Sequence, residues 1–311
     1  MLLAVGCLVV SALGVGGAFV YPLDVLNHFA PYTLALSVVA AAIQLAFRKT
    51  RETATLACAV VAIVLGAGVM TPEMVAKLMQ RRVAPRAQTI KVVELNLWSR
   101  NRDVPGTVRW LASQRADVLV LEEVVDRTVD VPQMLQTVYP YRNACDPDAP
   151  CTTFILSRVM PKSSGAYPAP DAGGLHSAAW ATFGAGASAF AVIGDHAPWP
   201  RGKDHQQVQS ALLASRMDAF DRASLIVAGD FNSTPWSFSL RRQDALFGLE
   251  RRTRALFTFP VQTYSKYRLH TPFPALPIDH IYAGSDWKTV SVTRGPRLGS
   301  DHLPTIAVLT R

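Results

Sequence analysis

The chain has 311 residues, 50% of them hydrophobic and 17% charged, well below the roughly 25% charged share of ordinary soluble domains. With 31 Lys and Arg against 23 Asp and Glu, its formal net charge is +8. That balance favours anionic partners without choosing between lipid headgroups and nucleic acid. Such a composition excludes a disordered chain, a collagen-like chain and a disulfide-dense miniprotein.

Charge is unevenly placed. Residues 1–88 hold seven basic and three acidic side chains, whereas the remaining 223 residues hold 24 and 20. The first 20 residues carry no charge, and two more uncharged runs follow, Pro31 to Phe47 and Thr53 to Met70. About 20 apolar residues cross a bilayer core and 17 suffice where it is thin, so the pattern predicts an anchor of three transmembrane helices over residues 1–70. A cleaved signal peptide is the alternative for the first run, but that run has no basic n-region and two more spans follow it. Buried soluble helices fit less well, because Gly14, Gly16, Gly17, Gly66 and Gly68 weaken such helices and suit close contact in lipid.

Between the second and third runs lies the basic loop Arg48-Lys49-Thr50-Arg51-Glu52, which should face the cytoplasm. With three spans, the rest of the chain then lies outside the cytoplasm, in a multi-pass cell-membrane protein. Lys77, Arg81, Arg82 and Arg86 pull the other way, in a basic linker over residues 71–88. Cys145 and Cys151 bracket a Pro- and Asp-rich loop whose turn can bring them together as a disulfide, a bond that persists in an oxidising compartment. Two unpaired loop cysteines are the alternative. A zinc site is not expected without a second Cys or His pair at ligand spacing.

From residue 89 to 311, short apolar runs alternate with helical patterns, which indicates a layered α and β domain. Strands are expected at Thr89–Trp98, Asp117–Leu121, Thr152–Leu156, Ala189–Ile193, Ser224–Ala228, Ile278–Ala283 and Thr305–Leu309, and helices at Val104–Gln114, Val131–Val138 and Gln206–Phe220. The stretch Lys162 to Gly174 reads as a surface loop. Several strands end in a residue of one kind: Asn96, Glu123, His196, Asp230 with Asn232, Asp279, and Asp301 with His302. Any one of these could be a turn former. Together they offer hard oxygen ligands suited to Mg²⁺ or Mn²⁺, and imidazoles that move protons.

The motifs Leu-Asn-Leu-Trp ending at Trp98, Ala-Asp-Val-Leu-Val-Leu-Glu-Glu-Val from Ala116, Phe-Ile-Leu-Ser-Arg from Phe154, Gly-Asp-His from Gly194, Gly-Asp-Phe-Asn from Gly229, Ile-Asp-His-Ile from Ile278 and Ser-Asp-His-Leu-Pro from Ser300 occur in one order through the whole domain. In this it resembles the endonuclease/exonuclease/phosphatase superfamily, which has the fold of pancreatic deoxyribonuclease. The resemblance implies an α/β, four-layer αββα sandwich of two packed mixed sheets with the site at one rim. It also implies Glu123 as the principal metal carboxylate, with Asn96 and Asp301 in the metal region. Asp279 would orient His302 as the base that takes a proton from water, Asp230 and Asn232 would position water and a phosphate oxygen, and His196 would donate to the phosphoryl group. Two residues depart from the usual pattern: Glu122 stands where many members have Gln, and Gly-Asp-His where Thr-His is common. Strand alternation should turn Glu122 away from Glu123, and Asp195 away from His196.

Outside the motifs, Trp98, Trp199, Trp236 and the run Tyr264 to Tyr267 could line a pocket or pack in the core. Arg241, Arg242, Arg251, Arg252 and Arg254 could flank a cleft or form a solvated face. His28, His176, His205 and His270 read as surface or locally bonded residues. The expected function is a membrane-anchored phosphoesterase dependent on Mg²⁺ or Mn²⁺. The 18-residue linker (71–88) reaches at most ~60 Å, which favours a lipid-linked or surface phosphodiester as substrate. An extracytoplasmic nuclease and a catalytically inactive anchored binding module are the alternatives.

Overall fold

The computed structural model describes residues 1–47, 53–143, 145, 151–169, 176–200, 205–262 and 271–311. The chain divides into two compact units, one comprising Met1–Gln80 and Ser233–Gln243, the other Arg81–Trp199, His205–Asn232 and Asp244–Arg311.

In the first unit the apolar runs form α1 (Leu2–Gly16), α2 (Ala30–Ala46) and α3 (Thr53–Met79), with a 3-10 turn, Tyr21–Phe29, joining the first two. The 26-residue stretch Tyr21–Ala46 and the 27-residue α3 are long and apolar enough to cross a bilayer. α1 has 15 residues, about 22 Å of helix, so the first expected span is shorter than its uncharged run. Small residues mediate the helix contacts: Ala4, Ala40, Ala41 and Ala59 cluster together, as close approach of backbones requires. The glycines divide by role. Gly66 lies against Leu34, whereas a side chain at Gly17 would meet the backbone of Asp24 at 2.6 Å, so Gly17 makes room for the turn and not for another helix. The basic loop used to predict orientation lies outside the described residues.

α3 continues nine residues past its expected end, to Met79. Beyond it, Val83 N–H donates to Thr289 O at 2.9 Å and Arg86 N–H to Thr310 Oγ1 at 2.9 Å. The stretch expected to be a free tether is therefore mostly helix and strand-edge contact, which removes the ~60 Å reach assigned to it.

The second unit is built from two six-stranded sheets. Its strands in chain order are β1 (Thr89–Asn96), β2 (Val118–Glu122), β3 (Tyr141–Arg142), β4 (Phe154–Ser157), β5 (Ser163–Tyr167), β6 (Ala178–Phe183), β7 (Phe190–His196), β8 (Leu225–Asp230), β9 (Glu250–Arg251), β10 (Asp279–Ala283), β11 (Lys288–Arg294) and β12 (Thr305–Thr310). The sheet orders are β11-β12-β1-β2-β4-β3 and β5-β6-β7-β8-β10-β9. Each sheet is antiparallel except at its centre, where β1 runs parallel to β2 and β7 to β8. Parallel neighbours need a crossover, supplied by α4 (Val104–Gln114) in one sheet and α6 (His205–Met217) in the other. Asp103 caps α4 by accepting from Gly106 N–H at 2.8 Å. The helix expected at Val131–Val138 is the single turn α5 (Val131–Met134).

Alternation along the strands sorts the core into layers. Ile90 and Val92, Val118 and Val120, Val192, Ile226 and Ile281 meet between the sheets. The intervening Val93, Leu95, Leu119 and Leu121 face Leu111, Val131 and Leu135. The same alternation turns Glu94 and Glu122 into the inter-sheet layer, where both are fully buried. β5 falls within the stretch expected to be a surface loop; residues 170–174 of that stretch lie outside the described residues. Cys145 and Cys151 form a disulfide with Cα atoms 5.8 Å apart, as their spacing predicts.

Candidate active site

The central parallel pairs stop at one rim, and open α/β sheets place ligands at such carboxyl ends. β1 ends at Asn96, β2 leads into Glu123, β7 ends at His196 and β8 at Asp230, with Asn232 just beyond. Antiparallel partners begin where these end: Asp279 opens β10 in register with Asp230, and Asp301 and His302 lie in the turn before β12. All eight expected site residues are joined by contacts of 4.0 Å or less. Asn96 Nδ2 donates to Glu123 Oε1 at 3.2 Å and to Asp230 Oδ2 at 3.1 Å. His302 Nδ1 lies 2.9 and 3.0 Å from the two oxygens of Asp279, and its Nε2 lies 3.7 Å from Asp230 Oδ2 and 4.0 Å from Asp301 Oδ1. His196 Nε2 is 3.8 Å from Asp230 Oδ2 and 3.5 Å from Asn232 Nδ2.

The backbone is shaped to hold this set. Gly229 precedes Asp230 because a Cβ there would stand 1.8 Å from the carbonyl oxygen of Asp195 on β7. Trp98, Glu123 and Asn232 have φ of 58°, 52° and 48°, a left-handed conformation that costs a non-glycine residue roughly 1–2 kcal/mol and concentrates at functional sites. At Glu123 it frees the carboxylate from the strand's alternation to accept from Ser99 N–H at 2.8 Å. Asn232 N–H donates to Asp230 Oδ1 at 2.9 Å and its Nδ2 to Ala197 O at 2.8 Å. Ser300 ties two strands of the site together, its hydroxyl donating to Asn96 O at 2.6 Å and accepting from His302 N–H at 3.0 Å.

Burial governs the protonation of the cluster. It drives Asp230 up to about 8, against the pull of His302 and with the repulsion of Asp279. Burial likewise drives Asp301 up to about 6. For His302 burial works downward, but Asp279, Asp230 and Asp301 together outweigh it and hold the imidazole well above its ordinary value. Burial and the neighbouring His176 and His302 push His196 well below that value, so at neutral pH it is an uncharged ring with one N–H to donate. Beneath the rim, burial first, and then repulsion from Asp279 at Glu94 and from Glu94 at Glu122, hold both carboxyls well above the carboxylate range. Glu94 also accepts from the Thr305 hydroxyl.

A divalent cation fits this donor set. Asp230 and Asp301 put more negative charge into the rim than burial tolerates without protons. Two buried oxygens, Asp301 Oδ1 and Asn232 Oδ1, have no hydrogen-bond partner among the described residues. One ligand atom each from Asp230, Asp279 and His302 lies within 4.8 Å of the others, but Asp279 and His302 are committed to each other. Glu123 and Asp301 offer further oxygens, those of Glu123 accepting from Asn96 Nδ2 and Ser99 N–H.

Several residues fall differently from the sequence expectation. His176 is no surface residue: its ring stacks on His196 with centroids 4.4 Å apart, and Gln209 ties its backbone to Asp195. The signal for it was β6, whose Ala178 registers opposite Asp195 and so brings His176 alongside the end of β7. Asp195 faces away from His196, as alternation predicts. Phe259 packs on the His302 ring at 4.6 Å and Trp199 on Phe259 at 5.6 Å. Trp98 and Trp236 are buried. Arg251 and Arg252 are buried too, paired with Asp244 at 3.1 Å and Glu250 at 2.8 Å, so they form neither a cleft wall nor a solvated face. Tyr264 to Tyr267 and His270 lie outside the described residues.

Residues 93–302 match the family model of the Endonuclease/Exonuclease/phosphatase family. No curated protein matches the chain. Among solved structures, it is similar to an endonuclease/exonuclease/phosphatase from Beutenbergia cavernae, at 20% identity and a TM-score of 0.55 with 72% of each chain covered. It is similar to sphingomyelinase C from Streptomyces griseocarneus at 16% identity and a TM-score of 0.54, over 71% of this chain and 99% of that one. It is also similar to a magnesium-bound beta toxin from Staphylococcus aureus at 12% identity and a TM-score of 0.53, over 72% and 100%. At these identities the likeness shows the fold.

Proposed function

We propose that this chain, which belongs to the endonuclease/exonuclease/phosphatase family, is a membrane-anchored phosphodiesterase whose nucleophilic water is activated by the Asp279–His302 pair. The enzyme class, a metal-dependent hydrolase of phosphate esters, follows from the family and the donor cluster. The observation that carries the mechanism is His302 Nδ1 held at 2.9 Å by the buried carboxylate of Asp279. Once the ring has given up its extra proton, at a pH above its raised value, that bond fixes the tautomer and leaves Nε2 as the proton acceptor.

Glu123 and Asp301 are the proposed metal carboxylates, with Asn96 bridging Glu123 to Asp230. When bound there, Mg²⁺ or Mn²⁺ supplies positive charge to the phosphoryl oxygens. His302 Nε2 takes a proton from water, the water oxygen forms the new bond to phosphorus, and the ester P–O bond breaks with the leaving oxygen taking a proton from solvent water, while His302 returns its proton to solvent. Asn232 Oδ1, buried and without a hydrogen-bond partner among the described residues, accepts a hydrogen from that water and so orients it. Neutral His196 donates its N–H to a non-bridging oxygen as charge develops. His176, stacked on His196, holds that ring in place.

The domain division is read as an anchor over residues 1–70, a connection over 71–88 and the catalytic domain over 89–311. Exposed apolar side chains on the helices, Val38, Val39 and Ile43 of α2 and Val60, Val61 and Val64 of α3, are suited to lipid. Three passes would place the catalytic domain outside the cytoplasm, and the Cys145–Cys151 disulfide supports an oxidising compartment. A site held near a bilayer sees membrane phosphoesters at high effective concentration, which favours a lipid-linked phosphodiester over nucleic acid. The test is a substrate panel for the full chain in nanodiscs with Mg²⁺ or Mn²⁺, using phospholipid vesicles and single- and double-stranded DNA. DNA cleavage without lipid hydrolysis would replace the lipid reading with the nuclease one, and no hydrolysis of any phosphoester would remove both. A reporter after Arg311 that is active only in the cytoplasm would overturn the topology.

A further inference from the structure

The crossover helix α6 buries two glutamines: Gln206 and Gln209 are 5% and 1% exposed. Residues three apart share one face of a helix, and these continue the stripe of the buried Leu213 and Met217. The far end of α6 is held by Arg222, which donates to Ala214 O at 3.0 Å and to Phe247 O at 2.6 Å. Buried amides are costly unless they are paired, and both of these find their partners at the ends of β7 and β8. Gln206 Nε2 donates to Asn232 O at 3.0 Å and to Phe231 O at 3.4 Å. The left-handed backbone of Asn232, with φ of 48°, persists only where its surroundings over-determine it. Its N–H is held by Asp230 and its Nδ2 by Ala197 O. Gln206 holds the carbonyl, which neither of those bonds reaches.

Gln209 acts on the neighbouring strand end. Its Oε1 accepts from His176 N–H at 3.4 Å, and its Nε2 donates to His176 O at 3.2 Å and to Asp195 Oδ1 at 2.8 Å. One amide thus pairs with the main chain of His176 as an adjacent strand would, and ties it to the carboxyl beside His196. The two imidazoles stack with centroids 4.4 Å apart. The clamp therefore fixes both members of the stack, His176 through its backbone and His196 through the residue next to it on β7.

We infer that Gln206 and Gln209 are positioning residues for hydrolysis: from one face of α6, Gln206 sets where the Asn232 side chain stands and Gln209 sets the His176–His196 stack. The helix that joins β7 to β8 is on this reading also the brace that spaces Asn232 and His196, whose Nδ2 and Nε2 lie 3.5 Å apart. The inference rests on the phosphodiesterase reading of these two residues for its catalytic consequence, but the mechanical link is measurable without turnover.

The experiment uses the full chain in nanodiscs, bis(p-nitrophenyl) phosphate with Mg²⁺ or Mn²⁺, and hydrogen exchange read on peptides covering 190–197 and 226–232. Gln206→Met and Gln209→Met keep the length of the side chain and remove the amide. Each should lower kcat by ~10- to 100-fold, the range for a displaced catalytic group, with KM and the metal activation constant within about twofold. Val208→Ala, on the exposed face of α6, should leave kcat unchanged. In an Asn232→Ala background the Gln206 effect should shrink below about twofold, and in a His196→Ala background the Gln209 effect should do the same, because coupled residues are not additive. Exchange should quicken over 226–232 in Gln206→Met and over 190–197 in Gln209→Met. Where either Met variant fails to fold, Gln206→Asn or Gln209→Asn, which keeps the amide on a shorter stem, gives the same tests at smaller amplitude. Full additivity in either pair, as a merely loosened helix would give, or an unchanged kcat overturns the inference. If the wild type hydrolyses no phosphodiester, the enzymatic reading fails and exchange alone decides: quickening in each variant's own segment supports the link, and unchanged exchange refutes it.

Discussion

Replacing Asp279 with Asn removes one charge and leaves almost everything else in place. In the wild type the imidazole of His302 sits 2.9 and 3.0 Å from two carboxylate oxygens, with both side chains almost wholly buried. A charge-assisted hydrogen bond of this kind contributes ~1.5–3 kcal/mol, against ~1 for the neutral bond an amide could make. The difference of ~1–2 kcal/mol falls on the protonated ring that forms as water is attacked, which corresponds to ~5- to 30-fold in rate at 1.36 kcal/mol per decade. His302→Ala should cost more, about 10²- to 10⁴-fold, and the double variant should be no slower than His302→Ala alone. The pH profile separates this from general damage. The base must be unprotonated to act, and Asp279 is among the charges that hold it well above its ordinary value. Losing that carboxylate lowers the value, so the acid limb of kcat/KM should move to lower pH while the plateau falls. Stopped-time assays at saturating Mg²⁺ across pH 5–9 would measure both. An unmoved acid limb, or additive losses in the double variant, would refute the assigned pairing.

Metal chelation with EDTA should abolish hydrolysis, and affinity for the cation should rise with pH between about 6 and about 8. There Asp301 and Asp230 give up protons that compete with the metal, by up to ~tenfold per pH unit for each proton displaced. Calorimetric titration showing a pH-independent constant would contradict this. Cys145→Ser should lower unfolding free energy by ~2 kcal/mol, the loop-closure value for a short ring, as read from urea midpoints. A wild type indifferent to reductant would show that the bond contributes nothing. Gly229→Ala should yield little folded protein, because its methyl would lie 1.8 Å from Asp195 O; a normal melting transition would show that β7 and β8 can separate more easily than their packing implies.

Strands of the central pairs were legible because they are buried on both faces: Val118–Glu122 and Leu225–Asp230 read as unbroken apolar runs that stop at a charge. β6, with the sequence Ala-Ala-Trp-Ala-Thr-Phe, and β11, with the sequence Lys-Thr-Val-Ser-Val-Thr-Arg, carry no such run. They are recognisable only once their neighbours are known. The same asymmetry holds at the site. Residues closing a motif, such as Asp230 and His302, announced themselves by type and order. His176 did not, because its place comes from the register of β6 against β7. Arg251 and Arg252 looked like a surface patch because nothing local in the sequence reveals that both side chains are buried, with the partly exposed Asp244 and the exposed Glu250 as partners. His28, read as a surface or locally bonded residue, is instead buried, because its partner Thr234 lies more than two hundred residues distant.

The two carboxyls of Glu94 and Glu122 in the inter-sheet layer make protons a stoichiometric component of the native state. Held well above the carboxylate range when folded, they are ionised when the chain unfolds at neutral pH, so unfolding releases protons to the solvent. Stability from these groups is complete below ~4.5 and declines as pH rises toward their folded values. Melting enthalpies should consequently differ between buffers of unlike ionisation heat, and Glu122→Gln, which keeps the shape without the titration, should shrink that difference. Acidification, which loosens most proteins by neutralising their ion pairs, would tighten this one between its sheets.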